Sequence, residues 1–207
     1  MSNVSIDFFE RQFRRQSRAG AVALNPFEAA ALPHLHGRVL DLGCGMGSLA
    51  LAAARRGCRV LALDGSAAAI AHLRRSARGA NLALEARRAE LRDYRIEGEF
   101  DAIVSIGLLM FLDCPAATRL LARIQRHVVP GGIAVVNVLV EGTTYMEMFD
   151  PAAHCLFARG ALREAFAGWE LMLDETSEFD APQGTRKVFA TVIARRPEIG
   201  RMHTGER

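Results

Sequence analysis

The residues with the clearest chemical potential form one stretch, Val39-Leu40-Asp41-Leu42-Gly43-Cys44-Gly45-Met46-Gly47, with Asp64 closing the next apolar run. An apolar strand enters a loop with glycine at every second position, and a helical pattern begins at once. Glycine there permits left-handed turns and a close approach of backbone to ligand. The ligand would sit at a helix N-terminus and at the carboxyl ends of parallel strands. An acid about 20 residues past such a loop is placed to accept hydrogen bonds from ribose hydroxyls. A lone glycine-rich loop also fits an ordinary tight turn. Loop, helix and strand-terminal acid together point to an adenosine-containing cofactor.

The spacing narrows the cofactor. The dinucleotide fingerprint G-x-G-x-x-G/A needs a third small residue where Ser48 stands, which disfavours a nicotinamide oxidoreductase. The order D-x-G-x-G-x-G resembles motif I of class I S-adenosylmethionine (SAM) methyltransferases. That resemblance implies SAM, with Asp41 on the ammonium side and Gly43, Cys44 and Gly45 letting the backbone approach. Asp64 and the adjoining Gly65 are expected at the ribose. Glu90 and Leu91, after the third strand, are expected to meet the adenine, although an acid among Arg87, Arg88 and Arg92 also reads as a surface residue. Ser105 closes the fourth strand, where the transferred methyl would lie. The Asn/Asp-Pro-Pro-Tyr motif of DNA and glutamine N-methyltransferases is absent, which argues against amide or adenine amine acceptors. Met110 and Phe111 read as core.

The surrounding elements must position these groups. Helix over 5–19 carries Phe8, Phe9 and Phe13 on one side, and a second helix runs from Pro26 to about His36. Strands are expected at 38–42, 59–64, near 82–86, at 99–105 and at 133–139, with helices at 47–56, 66–78 and 115–128 between them. A short helix near 160–167 precedes strands at 169–173 and 188–194. This alternation predicts an α/β fold. It is a Rossmann-like, mostly parallel seven-stranded sheet with an antiparallel C-terminal hairpin and helices on both faces. One domain is expected over 1–196, with 1–36 as a helical lid that brings Phe9 and Arg14 to the cofactor. Residues 197–207 form a polar tail expected to be disordered.

Composition bounds the rest. The chain has 207 residues, half of them apolar and 24% charged, with net charge +3. That suits a globular enzyme domain with ample core. No run of 18 apolar residues and no signal peptide are seen, so a cytoplasmic protein without membrane contact is expected. Lys187 is the single lysine, and the arginines are interspersed with acids, so no nucleic-acid partner is expected. Cys44, Cys58, Cys114 and Cys155 contain no C-x-x-C pair. They are read as free thiols, with no metal site. A monomer or homodimer acting on a small molecule is expected.

A narrower match covers about residues 5–196. The chain resembles the TehB-like tellurite-resistance methyltransferases in Leu109-Met110-Phe111-Leu112, in Gln125-Arg126 before Pro130-Gly131-Gly132, and in Phe157-Ala158-Arg159-Gly160-Ala161-Leu162-Arg163. The match continues through Gly168-Trp169-Glu170 and Phe189-Ala190-Thr191. It implies a SAM-dependent enzyme acting on a small soft acceptor such as tellurite, selenite or a thiol. The family's His-Arg pair between the last two strands is missing here, where the chain reads Glu178 to Arg186. No side chain is therefore assigned as catalytic. Tyr145 and His154, in the 140–158 insert, and Arg186 are the candidates, and Arg11, Arg14 and Arg186 are placed to attract an anion. A metabolite-tailoring O- or N-methyltransferase and a non-enzymatic SAM-binding partner protein are the alternatives.

Overall fold

The computed structural model describes Glu10, Phe13 and residues 23–198. The helix expected over 5–19, including Phe8, Phe9, Arg11 and Arg14, otherwise lies outside the described residues, as does the tail from 199. Seven strands form one sheet in the order β3-β2-β1-β4-β5-β7-β6. They are β1 (Arg38–Leu42), β2 (Arg59–Asp64), β3 (Leu84–Arg88), β4 (Phe100–Ile106), β5 (Val128–Leu139), β6 (Glu170–Asp180) and β7 (Arg186–Arg195). The first five are parallel. The last strand inserts antiparallel between β5 and β6.

Among residues 23–198, α1 (Pro26–Ala31) precedes the sheet, and α2 (Ser48–Arg55), α3 (Ala67–Gly79), α4 (Cys114–His127) and α5 (Ala161–Ala165) lie between its strands. Their starts are encoded locally. The Ser66 hydroxyl accepts from the Ala69 amide and the Asp113 carboxylate from that of Ala116, each satisfying an otherwise orphaned N–H. Asn25 and Glu28 close a reciprocal capping box around α1, which Pro26 opens. Alpha-helix ends at Ala31, short of the expected His36, because a tighter turn carrying Pro33 takes over at Leu32–His34.

Strand alternation sorts the core. Val39, Val60, Val104, Val135 and Ile193 pack with α2 and α3 on one face. Leu40, Ile103, Val136 and Val192 pack with α4 and α5 on the other. Strand β5 begins earlier than the expected 133, because Val128 pairs with Phe100 before a register shift around Pro130-Gly131-Gly132 restores the ladder at Ile133. A third cluster, Met110, Phe111, Leu139, Met148 and Phe149, joins the insert after β5 to the carboxyl ends of the strands.

The cysteine expectation is half overturned. Cys114 and Cys155 form a disulfide, while Cys44 and Cys58 are free and buried. The partners are 41 residues apart, one at the start of α4 and one in the insert. Only the folding of the insert across the sheet end brings them together, so no local spacing announces the bond.

Candidate active site

A cavity of about 430 Å³ opens at the carboxyl ends of β1, β2, β4 and β5. This is the usual ligand position in open α/β sheets. Its two ends differ in chemistry.

The first end is built from the glycine loop. Asp64 ties the loop to β2: its Oδ2 accepts from the Gly45 amide (2.9 Å) and its Oδ1 from the Ser66 amide (2.8 Å). Each oxygen keeps a lone pair for a ribose hydroxyl. Gly47 has φ +78°, and a Cβ there would lie 2.5 Å from the Leu73 side chain, so only glycine lets α2 and α3 pack this closely. Gly45 has φ +51° and lies under the Phe13 ring, which would meet a Cβ at 3.2 Å. Asp41 is buried and lines the cavity beside Gly43, Cys44 and Gly45. Desolvation pushes its carboxyl up to about 8, with the nearby Glu28 and Asp64 charges adding to the shift. Burial also raises Asp64, against the opposing backbone hydrogen bonds, and raises Glu28 and the Cys44 thiol. Three carboxyl groups thus face one volume, and a cation bound among them would favour their ionised forms.

Glu28 escaped the sequence reading. Its helix start was legible, but the carboxylate that accepts from the Asn25 amide (2.8 Å) also lines the cavity. Glu10 accepts from the Ser66 hydroxyl and the Ala68 amide, which docks the N-terminal segment on the start of α3.

The second end is lined by Ile106, Gly107, Leu108, Met110, Phe111, Asn137, Met148, Lys187 and Phe189. Met110 and Phe111 are buried, as a core reading requires, yet both also face the cavity. Lys187 places its ammonium 4.5 Å from the centre of the Tyr145 ring. It is the one cation among the described residues lining the cavity.

Other expected residues fall elsewhere. Phe9 and Arg14 lie outside the described residues. Gly65 is not among the lining residues, but its carbonyl accepts from Arg88 beside the cavity's Asp64 and Ser66. Leu91 is in the core. Glu90 is exposed just past β3 and accepts from the Arg92 amide (3.1 Å). Ser105 is fully buried with its hydroxyl unpartnered among the described residues, and it lies outside the cavity lining. Tyr145 lies outside the cavity lining and packs on the Met110–Phe111–Met148 cluster and under Lys187. His154 donates from Nδ1 to the Asp150 carbonyl (3.0 Å) and stacks near Phe149. Arg186 is exposed and donates from Nε to the Gly142 carbonyl (3.1 Å). Its neighbour Lys187 points the other way, as adjacent strand residues must.

Known proteins agree with this geometry. Residues 39–132 match the family described as methyltransferase domain. The chain is 30% identical over 171 residues to Hemagglutinin 1 of Eikenella corrodens, covering 77% of this chain and 55% of that protein. It is 28% identical over 166 residues to a probable S-adenosyl-L-methionine-dependent methyltransferase TehB of Haemophilus influenzae, covering 77% of this chain and 57% of that one. The chain therefore spans little more than half the length of these relatives. The crystal structure of TehB from Haemophilus influenzae superimposes with a TM-score of 0.74 at 22% identity, over 93% of this chain and 67% of that one. A methyltransferase-domain match over 39–132 thus sits on a Rossmann-like sheet with the glycine loop and strand-end acid at the carboxyl ends of its strands. In sequence and in fold the chain is similar to TehB.

Proposed function

We propose that the protein transfers the methyl group of SAM to a small, soft, anionic acceptor of the tellurite, selenite or thiolate class. The observation that carries this reading is the division of charge within one cavity. Asp41 and Asp64 line it from β1 and β2 and Lys187 from β7, among thioethers and aromatic rings, with Glu28 beside Phe27, which packs on Phe189 (ring centroids 4.9 Å). SAM carries a sulfonium and an ammonium against one carboxylate, so its net positive charge suits the acidic end. Lys187 attracts an anion to the other end. Met110, Met148, Phe111 and Phe189 give that anion a polarisable, water-poor wall.

Methyl transfer from a sulfonium is an in-line displacement, because the leaving thioether needs no activation. Alignment in a dry site then supplies most of the rate. A soft anion needs no general base, whereas a phenol or alcohol usually does. The cavity has no histidine among its described lining residues, and its carboxyl groups are those of Glu28, Asp41 and Asp64. Lys187 takes the electrostatic part expected of Arg186. Phe13, lying on Gly45, covers the glycine loop from outside.

Incubation of the protein with radiolabelled SAM and tellurite, selenite, a thiol or a phenol tests the proposal. Label is expected in the chalcogen or thiol products. Turnover of phenols alone would overturn the reading.

A further inference from the structure

Asn137 interrupts an otherwise apolar run, Ile133-Ala134-Val135-Val136-Asn137-Val138-Leu139, in the centre of the sheet. Its side chain is 1% exposed and lines the acceptor end of the cavity. Its Nδ2 donates to the Thr191 hydroxyl oxygen (2.9 Å), directly across the β5–β7 ladder. Its backbone carbonyl accepts from the Gly107 amide (3.1 Å). Pinned at both points, the side chain holds its Oδ1 in place, and that oxygen is buried with no partner among the described residues. A buried amide oxygen left without a donor is unfavourable, and its persistence at a ligand cavity calls for an explanation.

Strand register says which ligand would meet it. Asp41 pairs with Val104 and Asn137 with Ile106, so Asn137 stands level with Gly43 but two strands away. Two inter-strand spacings are about 10 Å. Asp41 and Asp64, on β1 and β2, are on the far side of that gap, whereas Lys187 and Phe189 lie on β7, the strand beside Asn137. The free oxygen therefore faces the acceptor.

We infer that Asn137, oriented by Thr191, is a specificity-determining residue: its amide oxygen accepts a hydrogen bond from an O–H or N–H that the acceptor carries beside its nucleophilic atom. The inference rests on the methyl-acceptor reading of this end of the cavity. It refines that reading from soft anions in general to soft anions that keep a proton, such as a hydroxylated oxyanion. A bare halide or thiolate offers Asn137 nothing and would leave its oxygen unpaired.

Two probes separate these classes. Selenite near neutral pH carries an O–H, and iodide is a soft anion without one. Binding of each to the protein saturated with S-adenosylhomocysteine is measured by calorimetry, in the wild type and in Asn137→Leu. The expected result is a selenite Kd raised at least tenfold by the substitution, with iodide binding and S-adenosylhomocysteine affinity unchanged within twofold. Thr191→Val, which releases the amide while keeping the shape of the side chain, is expected to raise the selenite Kd by a smaller factor. Asn137→Ser supplies the same comparison if the leucine variant does not fold. Selenite binding that is absent in the wild type, or unaffected by these substitutions, overturns the inference. So does an equal loss for both anions. Methylation assays on the same proteins keep the two readings apart. Turnover indifferent to Asn137 sinks this inference alone, and Asn137-dependent binding without turnover of any soft anion sinks the proposed function alone.

Discussion

The two ends of the cavity are built in opposite ways. The end proposed for the cofactor comes mainly from residues 41–66, and backbone amides of Gly45 and Ser66 hold its Asp64. The acceptor end is gathered from β4, β5, the insert and β7, and side-chain contacts hold it: Lys187 over Tyr145, Asn137 on Thr191, Phe111 4.9 Å from Phe149. A site made of backbone and a short stretch of chain tolerates little variation. A site made of distant side chains on a shared sheet can change its occupant without changing the fold.

The sharpest way to break this contrast is Asp41→Asn. Removing one partner of a buried charge pair costs about 2–5 kcal/mol, so above pH 8, where the wild-type carboxyl is ionised, SAM affinity should fall by about 30-fold or more in calorimetry. The same variant carries a pH signature. With its carboxyl raised to about 8, folded Asp41 retains a proton that the unfolded chain gives up above its ordinary value near 4. The unliganded wild type should therefore lose stability as pH rises between about 4 and 8, and the variant should lose less in a series of thermal melts.

Cys114→Ser tests the opposite end. Losing a crosslink across a 41-residue separation costs about 2–4 kcal/mol. The expected signs are a lower Tm in the absence of reductant, weakened acceptor binding, and cofactor affinity close to that of wild type. Gly47→Ala returns to the cofactor end, where a left-handed φ and the Leu73 contact together cost about 1–3 kcal/mol. Both Tm and SAM affinity should drop. Lys187→Gln is the mildest. About tenfold weaker binding of an anionic acceptor, or about 1.4 kcal/mol, is expected with SAM affinity unchanged, and Arg186→Gln should leave both constants alone.

Legibility in the sequence followed the same division. The loop, the helix caps at Ser66 and the β2 acid are local signals, so they could be read from spacing, and the alternation of strands and helices gave the sheet. Glu28 stayed hidden because an acid in the first turn of a helix carries no local sign that it faces a cavity. Lys187 was passed over for Arg186, since one residue along a strand decides which face a side chain serves and the strand's phase was unknown. Met110 and Phe111 satisfied a core reading without revealing that their core is also a cavity wall. The Cys114–Cys155 bond depends on how the insert crosses the sheet, which no spacing rule encodes. Asn137 did leave a trace, as one polar residue inside a buried apolar strand.

The separation of charge within the cavity bears on what happens after chemistry. In the proposed reaction the sulfonium becomes a neutral thioether and the acceptor gives up a negative charge. The acidic end then holds only the ammonium, and Lys187 faces a molecule with less to offer it. Attraction that gathers the reactants is dismissed by their own conversion, so product departure is driven by the reaction rather than opposed by the site. S-adenosylhomocysteine should accordingly be a weak inhibitor relative to the affinity for SAM.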